Sequence, residues 1–171
     1  MPHRSPAPLL PLLVALGLAV LGAAAPAQAY KAVFVVRHAE KASQTEKDPE
    51  LSLYGEDRAI ALTRLLRGTK VDAVFTSELR RTRDTAAPLC RQRALKPTAV
   101  NAGDTPALLA QLRALPKDAV ALVVGHSNTL PEILAGLGVK EKVEIRDDEY
   151  GRVFVVAPGP DGAVTLLELE Y

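Results

Sequence analysis

The stretch AVFVVRHAEK, residues 32–41, decides most of what the sequence says about the fold. Its first five residues are apolar, which is typical of a strand that is buried on both faces of a parallel sheet. The stretch VALVVGHSN, residues 120–128, repeats the arrangement, with an apolar run followed by a histidine. His38 and His126 are the only histidines after residue 30. We expect both at the carboxyl ends of strands, the edge where open α/β sheets bind ligands.

Strand-like runs alternate with helical patterns along the rest of the chain. The runs lie at residues 31–36, 71–75, 97–101, 119–124, 152–157 and 163–169, the third being the weakest. Strand and helix in succession predict parallel pairing. The turn composition PGPDG at 158–162 predicts an antiparallel hairpin between the last two strands. The sequence therefore predicts an α/β fold, a three-layer α/β/α sandwich with a mostly parallel sheet and a C-terminal β-hairpin.

Capping and breaking residues give the expected bounds of four helices. The expected starts, in chain order, are Ser52, Thr76 or Ser77, Thr105 and Asn128. Gly68 is expected to end the first helix, and Pro88 to kink or stop the second. The third should end before Pro116, and Gly136 and Gly138 should close the fourth.

The N-terminal 29 residues have the pattern of a secretory signal peptide. They carry one formal charge, Arg4, an apolar stretch at 12–25 and an AQA sequence at 27–29. The apolar stretch is shorter than the roughly 20 residues of a membrane span, so a retained membrane anchor is the less favoured alternative. We expect cleavage before Tyr30, a periplasmic or secreted protein without a stable membrane anchor, and one domain over residues 30–171.

Composition narrows the classes of partner. The chain has 21 basic and 20 acidic residues, a balance that offers no bulk attraction to nucleic acid, so no nucleic-acid partner is expected. Cys90 is the single cysteine, so no internal disulfide can form. We expect Cys90 to act as a small apolar side chain in the core. No oligomeric state is indicated.

The residues around the two histidines suit an anionic substrate, with phosphate the leading candidate. A neutral imidazole can attack phosphorus, so His38 is the candidate nucleophile. Arg37 beside it can bind two phosphate oxygens at once. His126, followed by Ser127, would add further donors. A second guanidinium should come from TSELRRTRDTA at 76–86, where residue types alone leave three candidates, Arg80, Arg81 and Arg83.

Four ordered motifs resemble those of the histidine phosphatase, or phosphoglycerate mutase-like, superfamily, and in particular its small exported bacterial members. They are RHAE at 37–40, LSxxGxxRA at 51–59, SxxxRTxxTA at 77–86 and GHS at 125–127. The resemblance implies that His38 is phosphorylated, that Arg37 and Arg81 bind phosphate, and that His126 is the second histidine of the pocket. It thus selects Arg81 among the three arginines. The family usually has glycine in place of Ala39 and often in place of Ser127.

The source of the proton for the leaving group is less clear from the pattern. In many members of the family a glutamate after the second-motif helix supplies it, as a general acid should. Between Arg91 and Lys117 the only acidic residue here is Asp104, which could reach the pocket or cap the next helix. If Asp104 is only a cap, substrates with good leaving groups, including phosphohistidine, are favoured.

Two other groups of charges have competing interpretations. Glu40 could orient a group of the pocket, although a solvated surface pair with Lys41 is favoured. The acidic run at 147–149 is interpreted as a solvated turn and not as a metal site.

The leading hypothesis is a metal-independent phosphomonoesterase that needs no cofactor and acts through a phosphohistidine on His38. Its substrate would be a phosphorylated small molecule or envelope component. The alternatives are a non-catalytic phosphate-binding envelope protein and a phosphohistidine phosphatase that lacks a general acid. Metal-dependent hydrolysis is disfavoured because the two histidines lack the spacing of metal ligands. Mutase activity is disfavoured because short connections leave little room for a lid that excludes water.

Overall fold

The computed structural model describes residues 30–159 and 163–171. The predicted signal peptide at 1–29 and residues 160–162 of the predicted turn lie outside the described residues. The strands are β1 Ala32–Arg37, β2 Ala73–Thr76, β3 Thr98–Ala99, β4 Val120–Gly125, β5 Arg152–Pro158 and β6 Val164–Glu170. The helices are α1 Leu53–Leu65, α2 Arg80–Arg93, α3 Thr105–Arg113 and α4 Leu130–Gly136, with a short 3-10 turn at Leu66–Gly68 after α1.

The strands form one mixed sheet in the order β3-β2-β4-β1-β5-β6. β1, β2, β3 and β4 pair in parallel, whereas β5 runs antiparallel to both β1 and β6. β1 and β4 occupy the centre, with Arg37 opposite Gly125 in the register. The two histidines that follow these residues are therefore adjacent, and the backbone N–H of His38 donates to the carbonyl of Gly125 at 2.9 Å.

Two apolar clusters cover the two faces of the sheet and produce the predicted three layers. Residues of α3 and α4, such as Leu112 and Leu134, pack with Val35 on one face. Residues of α1 and α2, such as Leu62 and Leu89, pack on the other. The predicted α/β/α architecture and C-terminal strand pair are confirmed.

Helix α1 begins as predicted, whereas α2 does not. Ser52 caps α1 and its hydroxyl accepts a hydrogen bond from the N–H of Gly55 at 3.1 Å. Helix α2 begins three residues after Ser77, with Leu79 in the cap position. It continues through Pro88 to Arg93. Burial of Leu89 and Cys90 on the continued helix compensates for the hydrogen bond that proline removes.

Helices α3 and α4 also differ in detail from the prediction. Asp104 caps α3, which begins at Thr105 as expected. Helix α4 begins at Leu130 with Thr129 and not Asn128 in the cap position. The Thr129 hydroxyl accepts a hydrogen bond from the N–H of His126 at 3.1 Å and so organises this turn in place of Asn128. Gly138, at a φ of 99°, follows the helix in the left-handed conformation that glycine adopts readily.

No helix within residues 30–159 and 163–171 has the length and apolar character needed to cross a membrane.

Candidate active site

A cleft of about 640 Å³ opens at the carboxyl ends of β1 and β4. It brings together five of the six predicted site residues, namely Arg37, His38, Arg81, His126 and Ser127. The lining continues over Lys41 and Gln44 on one side and over a loop at 146–150 on the other. The cleft is large compared with a phosphate ion, so it has room for the organic group that a phosphate ester carries.

His38 is held with one ring nitrogen free. Its Nδ1 lies 2.7 Å from the carbonyl oxygen of Ala39. A carbonyl only accepts, so Nδ1 carries the hydrogen and Nε2 keeps its lone pair. Burial is the main cause that lowers the pKa of His38 to about 3. The hydrogen bond to the Ala39 carbonyl acts in the opposite direction, and His126, Arg37 and Arg81 add smaller lowering effects. The ring is therefore neutral and nucleophilic near pH 7.

His126 lies beside His38 and is also held neutral. The two ring centroids are 5.3 Å apart in an edge-to-face arrangement. The Nε2 atom of His126 lies 3.1 Å from the hydroxyl oxygen of Ser77, and that hydroxyl lies 2.8 Å from the hydroxyl of Thr82. Burial, followed by the charge of Arg81, lowers the pKa of His126 to about 4. A bound anion would favour protonation of this ring and so strengthen it as a donor.

Arg37 is fixed by the loop at 146–150, a role that was not predicted for this loop. Its NH1 atom donates to the carbonyl oxygens of Arg146 at 2.9 Å and Glu149 at 3.0 Å. The guanidinium lies 4.0 Å from the centroid of the Tyr150 ring, a cation–π contact. The Nε atom of Arg37 is buried and has no hydrogen-bond partner. A guanidinium N–H that is withheld from water in this way calls for an acceptor, which an anion in the cleft would supply.

Arg81 is the arginine of its segment that lines the cleft. It lies in the first turn of α2, and its Nε atom is also buried without a partner. By contrast, the side chain of Arg80 is half exposed and pairs with Glu50 at 2.7 Å. The Arg83 residue is exposed. The structure thus places Arg81 where the resemblance put it.

Helix α2 also holds the loop that carries His38. The Thr85 hydroxyl accepts a hydrogen bond from the backbone N–H of Ala39 at 2.9 Å and donates to the carbonyl of Arg81 at 2.7 Å. One side chain therefore connects the His38 loop to the turn of helix that presents Arg81.

Asp104, the sixth predicted site residue, is not brought to the cleft. Its carboxylate accepts a hydrogen bond from the N–H of Ala107 at 3.0 Å, as a helix cap does. It lines a separate small apolar cavity behind His126, together with Val100 and Leu108. This geometry agrees with the capping alternative.

Glu40 forms an ion pair with Arg58 and not the solvated pair with Lys41 that the sequence favoured. The Nε atom of Arg58 lies 2.8 Å from Glu40 Oε1, and NH2 lies 2.6 Å from the same oxygen. Burial is the largest single effect and would raise the pKa of Glu40. The hydrogen bonds and charge of Arg58, a backbone hydrogen bond and the charge of Arg37 together outweigh it and hold that pKa below its usual value. Lys41 instead faces the cleft.

The interpretation of residues 147–149 as a purely solvated turn is also incomplete, because Asp147 and Asp148 line the cleft. Within the part of the chain that the structure describes, no three histidine, cysteine, aspartate or glutamate side chains form a group that could hold a metal ion.

Comparison with known proteins agrees with this geometry. The family model of the histidine phosphatase superfamily (branch 1) matches residues 33–102, which include Arg37, His38 and Arg81. No curated protein sequence matches the chain.

Solved structures resemble the chain over most of its length. The protein histidine phosphatase SixA complexed with tungstate is 21% identical, with a TM-score of 0.67, over 81% of this chain and 96% of that one. A SixA protein from Nakamurella multipartitia is 25% identical, with a TM-score of 0.60, over 82% and 95%. A mycobacterial glucosyl-3-phosphoglycerate phosphatase with inorganic phosphate is 17% identical, with a TM-score of 0.62, over 82% and 96%.

The α/β sheet presents His38, His126 and Arg37 at the ends of its central strands, and α2 adds Arg81 beside them. Together with the family-model match over residues 33–102, this arrangement indicates a phosphatase of the histidine phosphatase type.

Proposed function

We propose that the protein is a phosphomonoesterase that forms a phosphohistidine on His38 and needs no metal ion. The observation that carries this proposal is the combination, in one cleft, of a neutral ring with a free Nε2 and two guanidinium groups whose buried Nε atoms lack acceptors. Tetrahedral phosphate is the anion that would use all of these groups together.

The reaction proceeds in two displacements. Arg37, Arg81 and His126 bind the oxygens of the phosphoryl group, and Nε2 of His38 attacks phosphorus while the bond to the leaving oxygen breaks. Water then attacks the phosphohistidine, releases inorganic phosphate and restores the free ring. Because the transferred group carries its charge on the oxygens, the fixed guanidinium groups supply most of the stabilisation. The tungstate and phosphate complexes of the two phosphatases above support this use of the fold.

A phosphohistidine phosphatase is the second candidate, and one observation favours it. Asp104 is committed to the cap of α3, so the position predicted for a general acid does not serve the cleft. A phosphohistidine substrate has a good leaving group and depends less on such an acid. SixA, which the chain resembles in fold, is described as a protein histidine phosphatase.

The decisive test is to trap the intermediate. Purified protein mixed with a ³²P-labelled phosphomonoester and quenched in alkali should carry label that is stable in base and labile in acid. His38→Asn should remove the label and lower kcat/KM by more than about 10³-fold. Lys96→Ala, a change at an exposed side chain that does not line the cleft, should keep both the label and the activity. Activity that persists in His38→Asn, or that disappears in the presence of a chelator, would contradict the proposal.

We further propose that the protein is exported and that its substrate is a phosphorylated small molecule or envelope component. The support is the composition of residues 1–29, with its apolar stretch and AQA sequence.

A further inference from the structure

The cleft has two acidic side chains that the phosphoryl-binding groups leave unused. Among the described residues, Asp147 and Asp148 are the carboxylates that line it. Both lie in the 146–150 loop, whose backbone carbonyls hold Arg37. A phosphomonoesterase acting on alcohol leaving groups needs a proton for the oxygen that departs. Arg37, Arg81 and His126 bind the phosphoryl oxygens, so this proton needs a further donor.

Asp147 lies at the place where such a donor is needed. One carboxylate oxygen of Asp147 accepts a hydrogen bond from the hydroxyl of Ser127 at 3.1 Å and lies 4.0 Å from NH2 of Arg37. Ser127 directly follows His126, and Arg37 directly precedes His38. The carboxyl group is therefore connected to both sides of the phosphate position.

A leaving group bound here would face the open side of the cleft, where Asp147 lies, because the floor of the cleft is closed. His38, Arg37 and His126 are each at most 6% exposed, whereas the side chain of Asp147 is 97% exposed. A phosphoryl group seated on the buried residues directs its ester oxygen outward, to the level of the 146–150 loop.

The other acidic side chains near the site have hydrogen-bond partners elsewhere. Asp48 accepts from the backbone N–H of Arg80 and Glu78 from that of Ala102, each at 2.8 Å. Asp148 accepts a hydrogen bond from Nε of Arg146 at 3.1 Å, and this bond holds the pKa of Asp148 below its usual value. Glu40 is paired with Arg58 and Asp104 caps α3. The partner of Asp147 at hydrogen-bond distance is the hydroxyl group of Ser127, and its carboxyl group otherwise faces the cleft.

We propose that Asp147 is the general acid that protonates the leaving oxygen, an inference that rests on the proposed phosphomonoesterase function. As His38 Nε2 bonds to phosphorus and the ester P–O bond breaks, the Asp147 carboxyl gives its proton to the departing alkoxide and becomes a carboxylate. In the second displacement that carboxylate takes a proton from the attacking water, and phosphate leaves His38. The net change is one ester and one water converted to one alcohol and one phosphate.

The substrate itself favours the required protonation state. A phosphate dianion bound to Arg37 brings negative charge next to the Asp147 carboxyl, and like charges favour the protonated carboxyl. The same dianion would compete with Asp147 for the positive charge of Arg37, whose NH2 atom lies 4.0 Å from the carboxylate.

The test compares leaving groups in Asp147→Asn, with Asp148→Asn as the matched control from the same loop. For glycerol 2-phosphate, a poor leaving group, Asp147→Asn should lower kcat/KM by about 10²- to 10³-fold. For p-nitrophenyl phosphate, whose leaving group needs no proton, the loss should stay within about fivefold. Asp148→Asn should keep the wild-type ratio between the two substrates. We use kcat/KM because it reports the first displacement and not the shared hydrolysis of the phosphohistidine.

Three results would overturn the inference. Equal losses on both substrates would show that Asp147 acts by positioning Arg37, and unchanged kcat/KM on both would show that it is a spectator. A wild-type protein that hydrolyses only the aryl ester would show that no acid operates. In all three cases the phosphohistidine on His38 would still form, so the proposed function would stand. Absence of that intermediate in the wild-type protein would instead overturn both.

Discussion

At the residue scale, the neutrality of His38 and His126 is the property on which the chemistry depends. Both rings are buried, and burial is the largest cause of their lowered pKa values of about 3 and about 4. A ring that stayed protonated would have no lone pair with which to attack phosphorus. The burial that keeps His38 neutral also makes the free energy of unfolding depend on pH.

That dependence can be measured through the unfolding free energy. The folded pKa of His38, about 3, lies below the value of about 6.5 for an unfolded histidine, so the unfolded chain binds more protons between these values. Stability should therefore fall as the pH falls through this window, and His38 alone should account for about 2 to 3 kcal/mol between pH 7 and pH 4.5.

Denaturant unfolding of the wild type and His38→Asn over that pH range checks this expectation. The variant should lose less stability on acidification than the wild type. Parallel curves for the two proteins would show that His38 is not desolvated in the folded state.

The sequence predicted the residues of the cleft floor but not those that hold them. Arg37 and His38 follow an apolar run of residues, and this local pattern indicates the end of a strand. Tyr150 and the carbonyl groups of Arg146 and Glu149 fix Arg37 across more than a hundred residues of sequence. Two of these contacts come from backbone carbonyls, which every residue type possesses, so residue identity carries no signal for them.

At the scale of elements, the first turn of α1 packs against the loop that follows His38. The N–H of Ser52 donates to the carbonyl oxygen of Glu40 at 2.9 Å, and Gly55 packs directly against the same backbone. A Cβ at position 55 would overlap the Glu40 carbonyl oxygen. Glycine is therefore required here by close approach of two backbone segments.

Gly55→Ala should destabilise the protein by about 2 kcal/mol or more, because neither backbone segment can move without disturbing the other. It should also lower phosphatase activity, since Glu40 lies two residues after His38. Gly68→Ala, where a Cβ would meet no atom within 4 Å, is the matched control and should change stability by less than about 1 kcal/mol. Thermal unfolding of both variants gives the comparison, and similar melting temperatures would contradict the close approach.

Helix bounds were predictable where local side chains decide them. Ser52 and Asp104 cap their helices through hydrogen bonds to residues three positions later, which a sequence pattern detects. Pro88 does not end α2, because the tertiary contacts of Leu89 and Cys90 override a local breaking signal. Thr129, and not the predicted Asn128, takes the cap position of α4, and its hydroxyl accepts from the N–H of His126 and not from a helix N–H.

At the scale of the whole molecule, the alternation of strands and helices predicted the layers and the parallel centre of the sheet. It did not predict the strand order. β5 pairs with β1 and thereby places β1 inside the sheet, a long-range pairing that no local pattern encodes. The result is that both histidine-bearing strands are interior strands, so the two rings rest on the most constrained part of the sheet.

Export concerns the chain as a whole and has its own test. Expression of the full sequence in a bacterium should give a periplasmic or secreted protein whose N-terminal residue is Tyr30, as determined by N-terminal sequencing. The control is a protein that lacks residues 1–29 and begins at Tyr30, fused to a reporter. It should remain in the cytoplasm. Recovery of the uncleaved chain in the membrane fraction would favour the anchor alternative.

The position of Cys90 has a practical consequence. It is the single thiol of the chain, it is 7% exposed, and burial raises its pKa, so the reactive thiolate is scarce while α2 stays packed on the sheet. Alkylating reagents should therefore modify Cys90 only when that packing opens. The rate of alkylation under native conditions then measures how often the structure around α2 opens. The molecule thus carries its own kinetic probe, with no engineered label required.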